Sequence, residues 1–356
     1  MHAVRHRASS GEVTTSGRRL VKAADGGILL ETSDHQLVTI KGTDVLEDET
    51  TVEQFVYLSG DELGEQLQQE LGEAFTIVRT RRYVIATNAG ASYGRWCGRF
   101  LERLQVAFIA YWKKAGLELV EPADPLPVII FSDPKDFATY AAVDAGAAVA
   151  QSQGYYSIRS NRVILTDLTN IPGSRPARSD GEILRRVEAR VANFTTVIHE
   201  AAHQIAFNCG LHTRYADNPM WLLEGMAMYC EAPDFKGSTG WKSIGRLHSG
   251  RLAQFQDFAR QRRLPSSLAS LIMTDDRFRD PKTAVDAYAE SWTLTYFLMQ
   301  KHRDEYVDYL RRLQNQPRLV WLTPEQREAA FLSTFETSWE TIEAEFKSFC
   351  ARLDRK

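Results

Sequence analysis

The spacing of apolar residues changes character twice along the chain. Up to about Glu53, apolar positions come in short runs, Arg19–Lys22, Gly27–Thr32 and Gln36–Ile40, separated by the turn signals Asp25-Gly26-Gly27 and Ser33-Asp34. Such alternation between turn clusters predicts strands, here a small β-meander. Residues 1–17 are rich in Ser, Thr, Gly and Arg without apolar periodicity, and are expected to form a disordered tail.

From Ser59 the period lengthens. Ser59-Gly60-Asp61-Glu62 predicts a capped helix reaching about Leu71, Phe75–Thr87 a strand pair around Arg79–Arg82, and Tyr93–Ala115 an amphipathic helix. A short buried strand follows at Val128–Phe131, then a helix from Pro134 to about Ala142. Gly154–Ser160 and Arg162–Asp167 read as a hairpin, and the polar stretch Asn170–Asp180, with Pro172, Gly173 and Pro176, as a surface loop. Beyond it the pattern is mostly helical. The expected class is α+β: a small N-terminal β-meander, a mixed β/α region and a mostly helical half. The expected division is a tail at 1–17, a β-rich region at 18–56 and one domain at 57–356, with its key helices at about 183–208 and 219–231.

The helical half carries His199-Glu200-Ala201-Ala202-His203, an HExxH motif. Residues four apart share one helix face, so both imidazoles can reach one ion. At 100° per residue, Phe194, Val197, Ile198, Ala201, Ala202 and Ile205 cluster on one side, with Thr196, His199 and His203 opposite. Glu200 projects about 80° from the mean histidine direction, where a carboxylate can touch a bound water without being a ligand. The competing reading is an amphipathic helix with two incidental histidines, and a third ligand decides between them.

Three and six residues after His203 stand Ala206 and Cys209, where a metzincin-type site needs Gly and His. The remaining candidate is Glu224, 21 residues after His203 in Trp221-Leu222-Leu223-Glu224-Gly225-Met226-Ala227-Met228-Tyr229-Cys230-Glu231. Gly210 ends the first helix and Asn218-Pro219 opens the next. The small Gly225 and Ala227 are expected to let the second helix approach the first. Glu231, seven residues after Glu224, shares its face and is expected to hold a ligand histidine through its free ring nitrogen. The alternative for either glutamate is an exposed helix carboxylate.

HEAAH followed by WLLEGMAMYCE resembles the gluzincin metallopeptidases, in which HExxH is completed by a Glu in a W-L-x-E-G-x-A-x-Y motif. More narrowly, Thr195–Phe207, the WLLEGMAMY segment and Ala287–Leu298 (AYAESWTLTYFL) are similar to a bacterial family of unknown function predicted to be gluzincin peptidases, over roughly Phe75–Leu313. The resemblance implies a zincin-like catalytic domain with one Zn2+ on His199, His203 and Glu224 and a catalytic Glu200. It also suggests Tyr288 as a donor to the oxyanion, against the alternative of a core aromatic at helical spacing with Trp292. His212, in the loop between the two helices, is the rival donor. The expected function is a zinc-dependent hydrolase cleaving peptide bonds, with a catalytically silent zinc-containing scaffold or a hydrolase of other amides as alternatives.

Composition narrows the partners. The 356 residues are 44% hydrophobic and 25% charged, as in ordinary globular chains, and the net charge of -3 gives no broad positive field to attract nucleic acid. A peptide or protein is the expected partner. No stretch reaches the roughly 18 consecutive apolar residues of a membrane helix. The basic Arg5, His6 and Arg7 precede a polar run and not an apolar one, so no export signal is visible, and the expected location is cytoplasmic if the start is the true one. Cys97, Cys209, Cys230 and Cys350 are too scattered for a disulfide framework and are expected to be reduced. Oligomeric state is not legible.

Overall fold

The computed structural model describes residues 1–171, 175–235 and 241–353. The chain divides into two units, Met1–Glu102 with Pro122–Asn193, and Arg103–Glu121 with Phe194–Lys356. This differs from the expected boundary near residue 56, because the β-meander falls in the same unit as the mixed β/α region.

The first unit opens on five strands: β1 (His2–Ala8), β2 (Gly11–Lys22), β3 (Ile28–Glu31), β4 (Leu37–Ile40) and β5 (Val45–Thr50). They form an antiparallel sheet in the order β4-β3-β2-β1-β5. The disordered tail expected at 1–17 is therefore wrong: β1 pairs with β2 from His2↔Gly17 to Ala8↔Gly11 and with β5 from His2↔Thr50. Few apolar residues are needed here, because one face suffices: Val4 packs with Ile28, Leu30 and Ile40. On the polar positions, Arg5 donates to Glu12 (2.8 Å) and Glu47 (3.1 Å), cross-strand pairs that favour this register. Gly11, at φ 117°, makes the turn that an L side chain would resist.

The same unit continues with α1 (Gly60–Leu71), β6 (Thr76–Arg79), β7 (Tyr83–Thr87), α2 (Ala91–Lys114), β8 (Leu126–Phe131), α3 (Pro134–Asp144), β9 (Gly154–Tyr156), β10 (Val163–Thr166) and α4 (Asp180–Glu188). Ser59 and Glu62 close a capping box on α1, as their spacing predicts. From Arg103 onward the residues of α2 belong to the second unit. The second sheet runs β6-β7-β8-β10-β9, with parallel pairs at its centre and the expected β9/β10 hairpin at its edge. Its central strands β7, β8 and β10 are buried throughout, as parallel strands covered on both faces must be. Of the loop expected at Asn170–Asp180, residues 172–174, including Pro172 and Gly173, lie outside the described residues.

The helical half comprises α5 (Val191–Asn208), α6 (Met220–Cys230), α7 (Ser249–Gln261), α8 (Ser267–Met273), α9 (Asp276–Arg279), α10 (Ala284–Lys301), α11 (Arg303–Gln314), α12 (Pro324–Thr334) and α13 (Trp339–Leu353). With the two sheets, this makes the fold α+β. The single helix expected at about 183–208 is instead α4 and α5. Arg190 donates its backbone N–H to Val187 (2.9 Å) in a tightened turn, and its guanidinium donates to the Asn170 carbonyl (2.6 Å), which holds the break. Among the described residues no helix is long and apolar enough to cross a membrane.

Asp34 shows how the first unit tolerates a buried charge. Its carboxylate accepts hydrogen bonds from Thr32 (2.5 Å), Gln36 (2.6 Å) and Gln66 (2.6 Å). Burial pushes its pKa up, but these bonds and the Arg162 charge outweigh it and hold the group below the ordinary range. A carboxyl whose folded pKa is depressed stabilises the fold above its unfolded pKa of about 3.9, and the contribution is lost as pH falls through the folded value. Asp34→Asn places an amide donor against two glutamine amides. We predict a loss of about 1–3 kcal/mol in urea unfolding at pH 7, with the difference from wild type narrowing as pH is lowered below 4.

Candidate metal centre

Helix α5 presents the two sides its sequence predicts. Phe194, Val197, Ile198, Ala201, Ala202 and Ile205 are buried, whereas His199 and His203 lie together with ring centroids 4.7 Å apart and planes at 82°. The helix continues past Ala206 because nothing there breaks it, and ends at Gly210, φ 84°, where Leu211 and His212 both donate backbone N–H groups to the Ala206 carbonyl.

Helix α6 is anchored at its start and in its middle. Asn218 donates its side-chain amide to the Thr213 and Ala216 carbonyls, and Met220 N–H is accepted by Asp275 Oδ1 at 3.0 Å. Asp275 is itself paired with Arg327, which also binds buried Asp217. At Gly225, a Cβ would lie 2.2 Å from Thr295 Oγ1 and 2.7 Å from the Ser291 carbonyl. The small residue thus serves close packing on α10, and the expectation that it brings α6 against α5 is corrected accordingly.

This anchoring brings three side chains to one point. His199 Nε2 lies 3.0 Å from Glu224 Oε2 and 3.1 Å from His203 Nε2, and His203 Nε2 lies 3.6 Å from Glu224 Oε1. The other nitrogen of His199, Nδ1, is 2.9 Å from Oε1 of buried Glu231, as the seven-residue spacing from Glu224 predicts. Glu200 lies close enough to add its charge to His199.

The electrostatics define what such a cluster requires. Burial lowers the His199 pKa, but hydrogen bonds to Glu224 and Glu231 and the charges of Glu200 and Glu224 outweigh it and lift the group well above the ordinary range. Burial likewise raises the two carboxyls, but His203 and His199 overcome it at Glu224, and His199 together with the Arg251 guanidinium does so at Glu231, so both are held below the usual range. Beyond the Arg251 guanidinium at Glu231, two ionised carboxylates beside the rings favour further positive charge at Glu224 and the imidazoles. Protons can supply it, and so can a cation bound to neutral imidazoles.

The donor set fits such a cation. The three candidate ligand atoms lie within 4.8 Å of one another. Around zinc with bonds of about 2.1 Å, tetrahedral ligands sit about 3.4 Å apart. The two imidazole nitrogens stand 3.1 Å apart, and the Glu224 carboxylate offers Oε2 to His199 at 3.0 Å and its other oxygen, Oε1, to His203 at 3.6 Å, so the donors lie near that spacing although no single carboxylate oxygen makes both contacts. Two imidazoles and one carboxylate are donors of the types that zinc takes. All four cysteines are free thiols.

The two candidate donors differ in setting. Tyr288 on α10 is partly buried, packs edge-on against Phe278 at 5.3 Å, and has its phenol pKa raised first by the Glu224 charge, then by burial and Glu200. It stays protonated within electrostatic reach of both carboxylates. His212 is only 2% exposed, tilts against Phe207, and has neither ring nitrogen hydrogen-bonded. Burial and the His203 charge lower its pKa to about 3, so it is neutral.

Two residues that pattern reasoning missed also reach this centre. Arg251 and His248, at the start of α7, reach Glu231: Arg251 Nη2 lies 3.1 Å from Oε1, the oxygen that His199 also contacts, and His248 Nε2 lies 3.5 Å from Oε2. They stand 20 and 17 residues after Glu231 and belong to no motif, so only the folded chain reveals them.

Residues 193–319, which span the centre from α5 into the segment after α11, match the family model described as a protein of unknown function (DUF1570). No curated protein matches the chain.

Proposed function

We propose that the chain is a zinc-dependent hydrolase that cleaves peptide bonds, with His199, His203 and Glu224 as metal ligands and Glu200 as general base. The observation that carries this reading is the convergence of two imidazoles and one carboxylate on a single point, with the outer nitrogen of His199 already held by Glu231. Zinc in that position would supply Lewis-acid chemistry, polarising a carbonyl and acidifying the attacking water.

The protein's own groups have distinct parts. Glu231 accepts the Nδ1 hydrogen of His199, which fixes the tautomer that turns the Nε2 lone pair toward His203 and Glu224. Glu200, on the same helix but off the histidine face, takes the proton from water as it attacks and delivers it to the departing amine. Tyr288, kept protonated by the surrounding negative charge, donates a hydrogen bond to the oxyanion that forms on the substrate. A structural site would not need a carboxylate in the position of Glu200.

The roles separate by mutation. Glu224→Ala should lower zinc occupancy measured by elemental analysis, whereas Glu200→Ala should keep the ion and reduce turnover of a mixed peptide library by about 100- to 10,000-fold. Equal zinc loss in both variants would overturn the assignment.

Tyr288→Phe retains the ring against Phe278 and removes only the hydroxyl. Zinc content and melting should hold while kcat falls about 100-fold or more. An unchanged kcat, with His212→Ala impaired instead, would move the donor role to His212.

A further inference from the structure

We propose that Arg251 is a positioning residue of this centre, acting through Glu231 to fix the orientation of His199. The inference rests on the cluster binding a divalent cation, and is independent of which bond is hydrolysed.

Glu231 lies at the end of α6 and is 2% exposed, so its carboxylate must find donors within the protein. His199 Nδ1 (2.9 Å) and Arg251 Nη2 (3.1 Å) converge on Oε1, and Arg251 Nε approaches Oε2 at 3.3 Å. The guanidinium thus spans both oxygens as a fork, a geometry that fixes the carboxylate plane as a single point charge would not. His248 completes the set. Its Nδ1 accepts the Arg251 backbone N–H at 3.2 Å, capping α7, which leaves the hydrogen on Nε2, 3.5 Å from Glu231 Oε2.

The consequence reaches the centre through one hydrogen bond. A carboxylate torsion is broad and roughly two-fold, so an ungripped Glu231 could swing and carry the His199 ring with it. Held by Arg251, Glu231 presents a fixed acceptor, and His199 keeps its hydrogen on Nδ1 and its lone pair at the cluster. The first turn of α7 does not depend on this contact for its own placement, because Leu252 packs with Met228 and Trp292. Arg251 can therefore be changed without removing the helix that carries it.

The test is zinc affinity of the full-length protein, measured by competition with a chromophoric chelator. Arg251→Met should weaken zinc binding about 10-fold or more, measured well below the melting temperature of the metal-free variant, which should itself fall because a buried carboxylate loses its cation. Arg251→Lys, which keeps the charge but cannot fork, should give intermediate affinity, and provides the reading if the Met variant does not fold. Because Arg251 acts through Glu231, the double variant Glu231→Gln/Arg251→Met should bind no more weakly than Glu231→Gln alone. Wild-type affinity in either Arg251 variant, or additive losses in the double variant, would overturn the proposal, as would a wild-type protein with no zinc affinity. Failure of zinc-loaded wild-type protein to cleave peptides would count against the peptidase assignment alone.

Discussion

The His199 imidazole is gripped at both ring nitrogens by carboxylates from one helix, Glu224 at Nε2 and Glu231 at Nδ1. Seven residues of α-helix separate the two glutamates by two turns, about 10.5 Å along the axis, so their side chains must close from both ends onto a ring that stands between them. That arrangement leaves little freedom in how α5 and α6 lie. It also concentrates negative charge in a space from which water is largely excluded, and breaking such a buried set by removing one partner costs about 3–5 kcal/mol.

Much of the second unit can be understood as support for that grip. Asp275, fixed by Arg327, holds the first N–H of α6. Gly225 admits the backbone of α10 to a distance no side chain would allow. Arg251 and His248 close over the last residue of the pair. The first two contacts position α6 and the last orients the Glu231 carboxylate against His199, and the proposed chemistry depends on all of them, since a displaced ligand is a weakened one.

What was legible beforehand follows from the range of each interaction. His199 and His203 are one turn apart, and Glu231 is two turns from Glu224, so helical periodicity alone predicts their shared faces. Glu224 was found through its local motif and its distance from the HExxH helix. Arg251 and His248 were not, because their link to Glu231 is tertiary and leaves no period in the chain. Gly225 was identified as a site of close approach but matched to the wrong neighbour, since a small residue announces contact without naming the partner. The strand His2–Ala8 and the first half of Gly11–Lys22, up to Gly17, fall where a tail is expected, because a sheet with one wet face needs only an occasional Val4, and its polar positions are stabilised by cross-strand pairs such as Arg5 with Glu12 and Glu47.

All of the proposed chemistry requires that this cluster hold one metal ion on three named side chains. Crystals of the zinc-treated protein, with anomalous diffraction recorded on either side of the zinc absorption edge, address it directly. One strong peak is expected about 2.0–2.2 Å from His199 Nε2, His203 Nε2 and a Glu224 carboxylate oxygen, with Glu231 still bonded to His199 Nδ1. No peak among these groups, or a peak ligated by Glu231 in place of Glu224, would contradict it.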